Sequence, residues 1–240
     1  MKLILFKKDI NFKGKIFVTG FHGVGYVGFL TVQHLTKALK ARRIGHVITN
    51  NHPPLVSVSQ RRLVLPYELF QVDNFVLLTL NVPLNQEDAQ EFCFKLGKWI
   101  IKKKFKEAIL FGGLDSSVKR DYDSSELRVV ATSEFLRLNK VSEPILEEGL
   151  YVVGPLAYLL MVFESLNFPA ITVLPYATVS YPDPRAAAKA ISYFEKRYGV
   201  KVDVKELIQQ AEEVEKMVSE VKKQLEKLGR KEATSKTLYI

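Results

Sequence analysis

Short, continuously apolar runs, several of them ending in glycine, alternate along this chain with runs of helical period. "KIFVTG" (15–20) reads as a buried strand, and a glycine turn leads from it into a helix from about Val24 to Ala41. "HVITN", "PLVSVSQ" and "NFVLLTL" (74–80) read as further strands. A helix from about Gln86 to Lys104 then gives way to the strand "EAILFGG" (107–113). "LRVVAT" is a strand, "GPLAYLLMVFESL" a helix with proline just inside its start, and "AITVLPY" another strand. Strands covered on both faces read as unbroken apolar runs, and strand–helix–strand alternation builds parallel sheets. The expectation is an α/β body over residues 1–200, a mainly parallel sheet with helices on both faces.

At 240 residues and 47% hydrophobic content the chain has material for one sizeable core. Its net charge of +9 comes from Lys and Arg spread along the sequence among Glu residues, without a nucleic-acid-binding signature. No nucleic acid is expected as a partner. Cys93 is the only cysteine, so an internal disulfide is excluded; its apolar helical surroundings, "EFCFKLGKWI", predict an inert buried thiol. The N-terminal "MKLILFKKDI" is too short and too soon charged for a signal peptide. The longest apolar stretch, Tyr151 to Phe163, falls short of the ~20 residues that span a bilayer. A cytoplasmic protein without a membrane association is expected.

The region from Asp203 differs from the body. "DVKELIQQAEEVEKMVSEVKKQLEKLGR" contains no proline, begins with an Asp-x-x-Glu capping pattern at Asp203 and Glu206, and ends at Gly229, a natural helix stop. Val204, Leu207, Ala211, Val214, Val218, Val221, Leu225 and Leu228 fall at spacings that alternate between three and four, a heptad seam. Residues 201–230 are expected to form one long helix. Its seam either serves self-association, giving a homo-oligomer, or docks on the body, a choice that Ile208 and Met217 leave open by widening the stripe. Residues 231–240 are expected to be a flexible tail.

"GVGYVG" supplies Gly23-x-Gly25-x-x-Gly28 between a strand and a helix, the form of a dinucleotide-binding loop. Such glycines let phosphate oxygens approach backbone N–H groups at a helix start. The acidic residue that should follow ~20 positions on, to hold the ribose, is missing. The glycines are therefore read first as packing residues. The four histidines, His22, His34, His46 and His52, have no metal-ligand spacing. Asp115-Ser116-Ser117 has no nucleophile–base partner and reads as a turn. No cofactor, metal or catalytic residue is expected.

Three stretches resemble the PAC2 family of proteasome assembly chaperones in its archaeal form. They are "TGFHGVGYVG" (19–28), with Gly20, Gly23, Gly25 and Gly28; "AILFGGL" (108–114), with Gly112 and Gly113; and "YPDPRAAAKAI" (181–191), with Pro182, Asp183 and Pro184. His22 departs from the pattern, since many members carry proline there. The resemblance implies an α/β sandwich like that of nucleoside phosphorylases and related hydrolases, without established catalytic residues. It also gives a meaning to the last three residues, Leu238-Tyr239-Ile240. They match the hydrophobic-Tyr-x ending with which proteasome activators and assembly chaperones insert between α-subunits of the 20S ring. An apolar residue followed by tyrosine arises there by chance in ~2% of chains of this composition.

The function implied is a chaperone or activator-like protein that binds the proteasome α-ring through this motif and is not an enzyme. Two alternatives stand beside it. One is an oligomeric scaffold that assembles with a second, related PAC2-system protein without meeting the proteasome. The other is a nucleotide- or dinucleotide-binding enzyme using the Gly23–Gly28 loop.

Overall fold

The computed structural model describes residues 1–7, 10–59, 61–120 and 124–236, with side chains as far as Glu220. In chain order the elements are β1 (Lys2–Leu5), β2 (Ile16–Gly20), α1 (Val27–Ala38), β3 (Arg42–Ile48), β4 (Ser57–Ser59), β5 (Arg62–Val64), β6 (Tyr67–Val72) and β7 (Phe75–Leu80). They continue with α2 (Gln86–Lys102), β8 (Glu107–Phe111), β9 (Leu114–Asp115), β10 (Leu127–Ala131), α3 (Ser133–Leu138), α4 (Pro155–Ser165), β11 (Ala170–Ala177), α5 (Pro184–Tyr198) and α6 (Lys205–Lys236).

One sheet runs through the body in the order β1-β3-β6-β7-β2-β8-β11-β10, with β9 pairing beside the end of β11. Its centre is parallel: β7, β2, β8 and β11 pair in register, Phe75 with Ile16, Ile16 with Glu107, and Ala108 with Ala170. Its flanks are antiparallel, through β1, β3 and β6 on one side and β10 on the other. The expected parallel sheet is therefore the core of a mixed one. β4 and β5 form a separate hairpin rather than one of the sheet strands.

Both faces of the central strands are covered, and the period-2 alternation of a strand sorts their side chains. Ile16 and Val18 of β2 join Ile109 and Phe111 of β8 and Ile171 and Val173 of β11 in one core cluster, which also holds residues of α1, α3, α5 and the start of α6. Phe17, Ala108, Leu110 and Ala170 join the other cluster, with residues of α2 and α4. The result is a three-layer sandwich.

Two of the buried carboxylates, Glu68 and Glu107, sit on strands of the sheet, each with partners, as burial of a charge requires. Glu68 on β6 accepts from Arg43 Nη1 at 2.6 Å, Arg62 Nη1 at 3.0 Å and Asn81 Nδ2 at 3.2 Å. Glu107, at the start of β8, accepts from the Tyr198 hydroxyl at 2.8 Å, and the Arg197 guanidinium lies 3.6 Å away. Cys93 is buried in α2, and burial pushes its thiol pKa up.

Three boundaries differ from the sequence expectation. α1 begins at Val27, because a 3-10 turn over Val24–Tyr26 and a left-handed Tyr26 (φ 52°) precede it. The capping pattern at α6 is not closed: Asp203 Oδ1 accepts from Lys205 N at 2.9 Å, while Glu206 reaches across to Lys37 at 2.5 Å instead of back to Asp203. Lastly, α6 does not stop at Gly229 but continues to Lys236. One interior glycine costs a helix only ~1 kcal/mol, and Arg230, Lys231, Glu232 and Ala233 are all good helix formers.

Candidate functional site

The three glycine- and proline-bearing motifs, more than 150 residues apart at the extremes, meet at the C-terminal ends of the parallel strands. Gly20 closes β2, Gly28 lies in the first turn of α1, Gly112 and Gly113 follow β8, and Pro184 opens α5. Asp183 joins them. Its backbone N–H donates to Gly25 O at 2.8 Å, tying the glycine loop to the proline turn. Its carboxylate caps α5 by accepting from Ala186 N at 3.0 Å and also accepts from Thr178 N, past the end of β11, at 3.2 Å. Pro182 and Pro184 flank this aspartate and line the neighbouring cleft.

Backbone runs against backbone at this junction. A Cβ on Gly28 would stand 2.3 Å from Phe111 O, and one on Gly20 would stand 2.4 Å from Gly28 O. A Cβ on Gly113 would meet Val24 O at 2.3 Å, and one on Gly112 would meet Leu156 Cδ1 at 2.6 Å. Gly25 sits at φ 57°, and a Cβ there would stand 2.9 Å from Ala177 Cβ and 3.0 Å from Asp183 Cβ, whereas a Cβ on Gly23 would meet nothing within 4 Å. Gly25 and Gly28 of the apparent dinucleotide loop therefore hold the chain's own elements together. Two N–H groups at the end of the loop are engaged within it: Tyr26 N donates to Gly23 O at 2.9 Å, and Val27 N donates to Val24 O. His22 stacks on Phe29 with ring centroids 4.3 Å apart, and its Nδ1 is buried with no hydrogen-bond partner. Burial lowers its pKa.

Beside the junction lies an open cleft of about 250 Å³. One wall is Ser116, Tyr176, Tyr181 and Lys189; the other is Ala211, Val214 and Glu215 of α6. Its cations are already matched. Arg185 binds Glu215 through two hydrogen bonds, of 2.5 Å and 3.1 Å, which hold the Glu215 carboxyl below its usual pKa, and Lys189 pairs with Glu126. With Asp183 on the α5 N-terminus, the positive charge that would attract a phosphate there already has protein carboxylates on it. Sequence reasoning did not single out Arg185, Lys189 or Glu215, because only the docking of α6 brings them to one place. Asp115 caps a short turn by accepting from Ser117 N at 2.8 Å, the turn-forming role expected of it. Among the described residues no three His, Cys, Asp or Glu side chains group to hold a metal ion, and no helix is long and apolar enough to cross a membrane.

The heptad seam is divided. Leu207 and Ala211, each 2% exposed, are buried, and Leu207, Val204 and Ile208 belong to the cluster under α5. Asp203 O accepts from His34 Nε2 at 2.7 Å, fixing the lead-in. Val214 lines the cleft and is half-buried, as is Val218, while Met217 is exposed. The side chains of Val221, Leu225 and Leu228, and the whole of Leu238-Tyr239-Ile240, lie outside the described residues.

Comparison with known proteins agrees with this assembly of motifs. The chain superposes on Pyrococcus furiosus PbaA, described as an archaeal homolog of proteasome-assembly chaperone, with a TM-score of 0.79 and 24% identity over 99% of both chains. It also superposes on Pyrococcus furiosus PbaB, described as an archaeal proteasome activator, with a TM-score of 0.71 and 22% identity over 92% of this chain and 98% of that one. An uncharacterized protein of Methanocaldococcus jannaschii is 24% identical over 98% of this chain and 96% of its own length. A profile of the PAC2 family matches residues 17–222, which include all three motifs and the docked start of α6. The chain belongs to the PAC2 family.

Proposed function

We propose that this protein is a proteasome assembly chaperone or activator-like protein that binds the 20S α-ring through Leu238-Tyr239-Ile240, as a homo-oligomer and without catalysis of its own. The observation that carries the reading is the construction of α6. Its first turns are anchored to the body through Leu207, Ala211 and the Arg185–Glu215 pair, and the helix continues to Lys236, two residues before the motif. Such a helix can carry a terminal peptide away from the body. Leucine and isoleucine contribute roughly 1.5–3 kcal/mol each when fully covered, tyrosine adds a rigid ring, and a terminal carboxylate adds a charge-assisted contact.

Family membership supports the same reading, as does the fold shared with PbaB, a protein described as a proteasome activator. The seam beyond the docked turns, from Val218 to Leu228, is the proposed self-association surface of the helix. Use of the Gly23–Gly28 loop for close packing takes support from the nucleotide-enzyme alternative.

Deleting Leu238–Ile240 from the full-length protein and mixing it with isolated α-rings tests the proposal by native mass spectrometry. Loss of the complex with retention of the protein's own oligomeric state is expected. Undiminished binding of the truncated protein would overturn the reading.

A further inference from the structure

Cations that the sequence scatters over separate segments are gathered by the fold. At the N-terminal ends of the parallel strands, opposite the glycine and proline motifs, lies an open cleft of about 450 Å³. Its cations are Lys7, Lys13 and Lys15, from the segment between β1 and β2, and Arg42, the first residue of β3. Strand pairing brings them together. Arg42 lies opposite Gln71, Ile16 N donates to Asn74 O at 2.8 Å, and Gln71 and Asn74 add their carboxamides to the lining. In the cleft beside the motifs, Arg185 and Lys189 are matched by Glu215 and Glu126. Here none of the four cations has a carboxylate partner among the described residues, and Lys15 Nζ donates to a backbone carbonyl, Asp73 O, at 2.7 Å. Lys8 and Asp9, whose formal charges cancel, lie outside the described residues. Helix ends do not account for the cluster either: Lys102 complements the C-terminal dipole of α2, but Lys7, Lys13 and Lys15 belong to no helix.

We infer that this cleft binds a compact oligophosphate, a chain of about three linked phosphate groups, held by charge-assisted hydrogen bonds from Lys13, Lys15 and Arg42. Size and chemistry select the occupant. The volume lies in the range of small-molecule sites, about 300–1,000 Å³. Ammonium, guanidinium and carboxamide groups all donate to phosphate oxygens. No aromatic ring lines the cleft, so a nucleobase has no platform to stack on and recognition falls on the phosphates. An extended acidic peptide sets successive carboxylates of one face about 7 Å apart, so few could enter together, whereas linked phosphates concentrate their charge in one place. Like charges held close together repel one another, and an anion bound among them removes that repulsion. It would also tie the segment before β2 to the start of β3 and the β6–β7 turn. The site is remote from the Gly23–Gly28 loop in the fold and makes no use of the C-terminal tripeptide.

Calorimetric titration of the full-length protein with sodium tripolyphosphate, at about 0.15 M salt and without divalent metal, tests this. Saturable binding of one anion per chain is expected, with a rise in melting temperature on binding. Lys13→Gln and Arg42→Gln should each weaken it about ten-fold, the loss of one charge-assisted hydrogen bond. Both side chains are exposed, so the anion-free variants should melt like the parent. Lys103→Gln, which removes an exposed cation outside the lining, should bind like the parent, and ATP should bind no more tightly than tripolyphosphate. The inference falls if no saturable binding occurs below about 1 mM, or if both cleft variants bind like the parent. It falls equally if Lys103→Gln loses as much as they do, which would mean a diffuse field rather than a site. Binding of polyglutamate or a DNA duplex that tripolyphosphate does not displace would make the face a macromolecular surface and overturn it too. None of these variants alters the last three residues, so failure here leaves the α-ring reading standing, and failure of tail deletion to affect α-ring binding leaves this site standing.

Discussion

Within one glycine motif, two positions should tolerate a methyl group very differently. At Gly28 an added Cβ collides with backbone, 2.3 Å from Phe111 O, and neither strand nor helix can retreat without disturbing the other. Gly28→Ala is expected to cost about 1–3 kcal/mol or more, whereas Gly23→Ala, facing open space, should stay within about 0.5 kcal/mol of the parent. Denaturant melts of the two variants give the comparison, and equal tolerance would contradict the packing role. The glycines were visible in the sequence as a motif, but their neighbours were not. The same spacing serves phosphate binding or close packing, and only the contacts to Phe111, Val24, Ala177 and Asp183 separate the two.

A second residue-scale expectation concerns pH. Burial holds His22, His46 and His52 below the usual histidine pKa of 6.5 in the folded protein; His46 is lowered further by Arg43 and His52 by His46. As pH falls through 6.5, the unfolded chain takes up protons that the folded chain resists, so stability declines from there down to the folded pKa values. Above about pH 7.5 these groups contribute no slope. Between about pH 6.5 and 5 most carboxylates remain ionised in both states, so the histidines dominate that interval. Thermal melting across it should show a falling midpoint. His22→Phe, which keeps a ring against Phe29, should make the fall shallower.

At the scale of elements, α6 shows what periodicity can and cannot specify. The three-four spacing marks an apolar stripe in the sequence but carries no information about what covers it. The structure places the first turns of that stripe against the body: Leu207 is buried under α5, so Leu207→Ala should destabilise the fold by about 2–4 kcal/mol. Val218, half-buried four turns from the helix start, should lose less than about 1 kcal/mol of stability on truncation to alanine. Chemical denaturation of the pair separates a divided seam from a uniform one; equal losses would contradict the division.

β6 was not apparent in the sequence for a different reason. Glu68 and Gln71 interrupt its apolar pattern, and Glu68 is tolerable inside only because Arg43, Arg62 and Asn81 converge on it from other parts of the chain. Strands whose partners were apolar and whose faces were both covered, β2, β7, β8 and β11, could be read directly.

At the scale of the whole molecule, the parallel centre of the sheet gathers the family motifs at one edge, and α6 leaves from beside that edge. At 32 residues this helix is about 48 Å long, and its last residue, Lys236, stands two positions before the proposed proteasome-binding tripeptide in the sequence. A single peptide of three residues binds weakly once its ordering cost is met. Several copies carried on one oligomer raise the effective concentration of each, with gains of about 10²–10⁴ in apparent affinity when their spacing suits the ring. Weakening the association without altering the tail should therefore reveal how much of the binding is collective. Leu225→Glu places a charge in the seam well before the last three residues. It should lower apparent affinity for isolated α-rings by about 10²-fold or more, while a synthetic peptide of residues 234–240 competes equally well against parent and variant at matched occupancy. Surface-immobilised α-rings and a concentration series of each protein give both quantities. A dissociated variant that binds as tightly as the parent would show that one tail suffices, and that the oligomer serves something other than presentation of the motif.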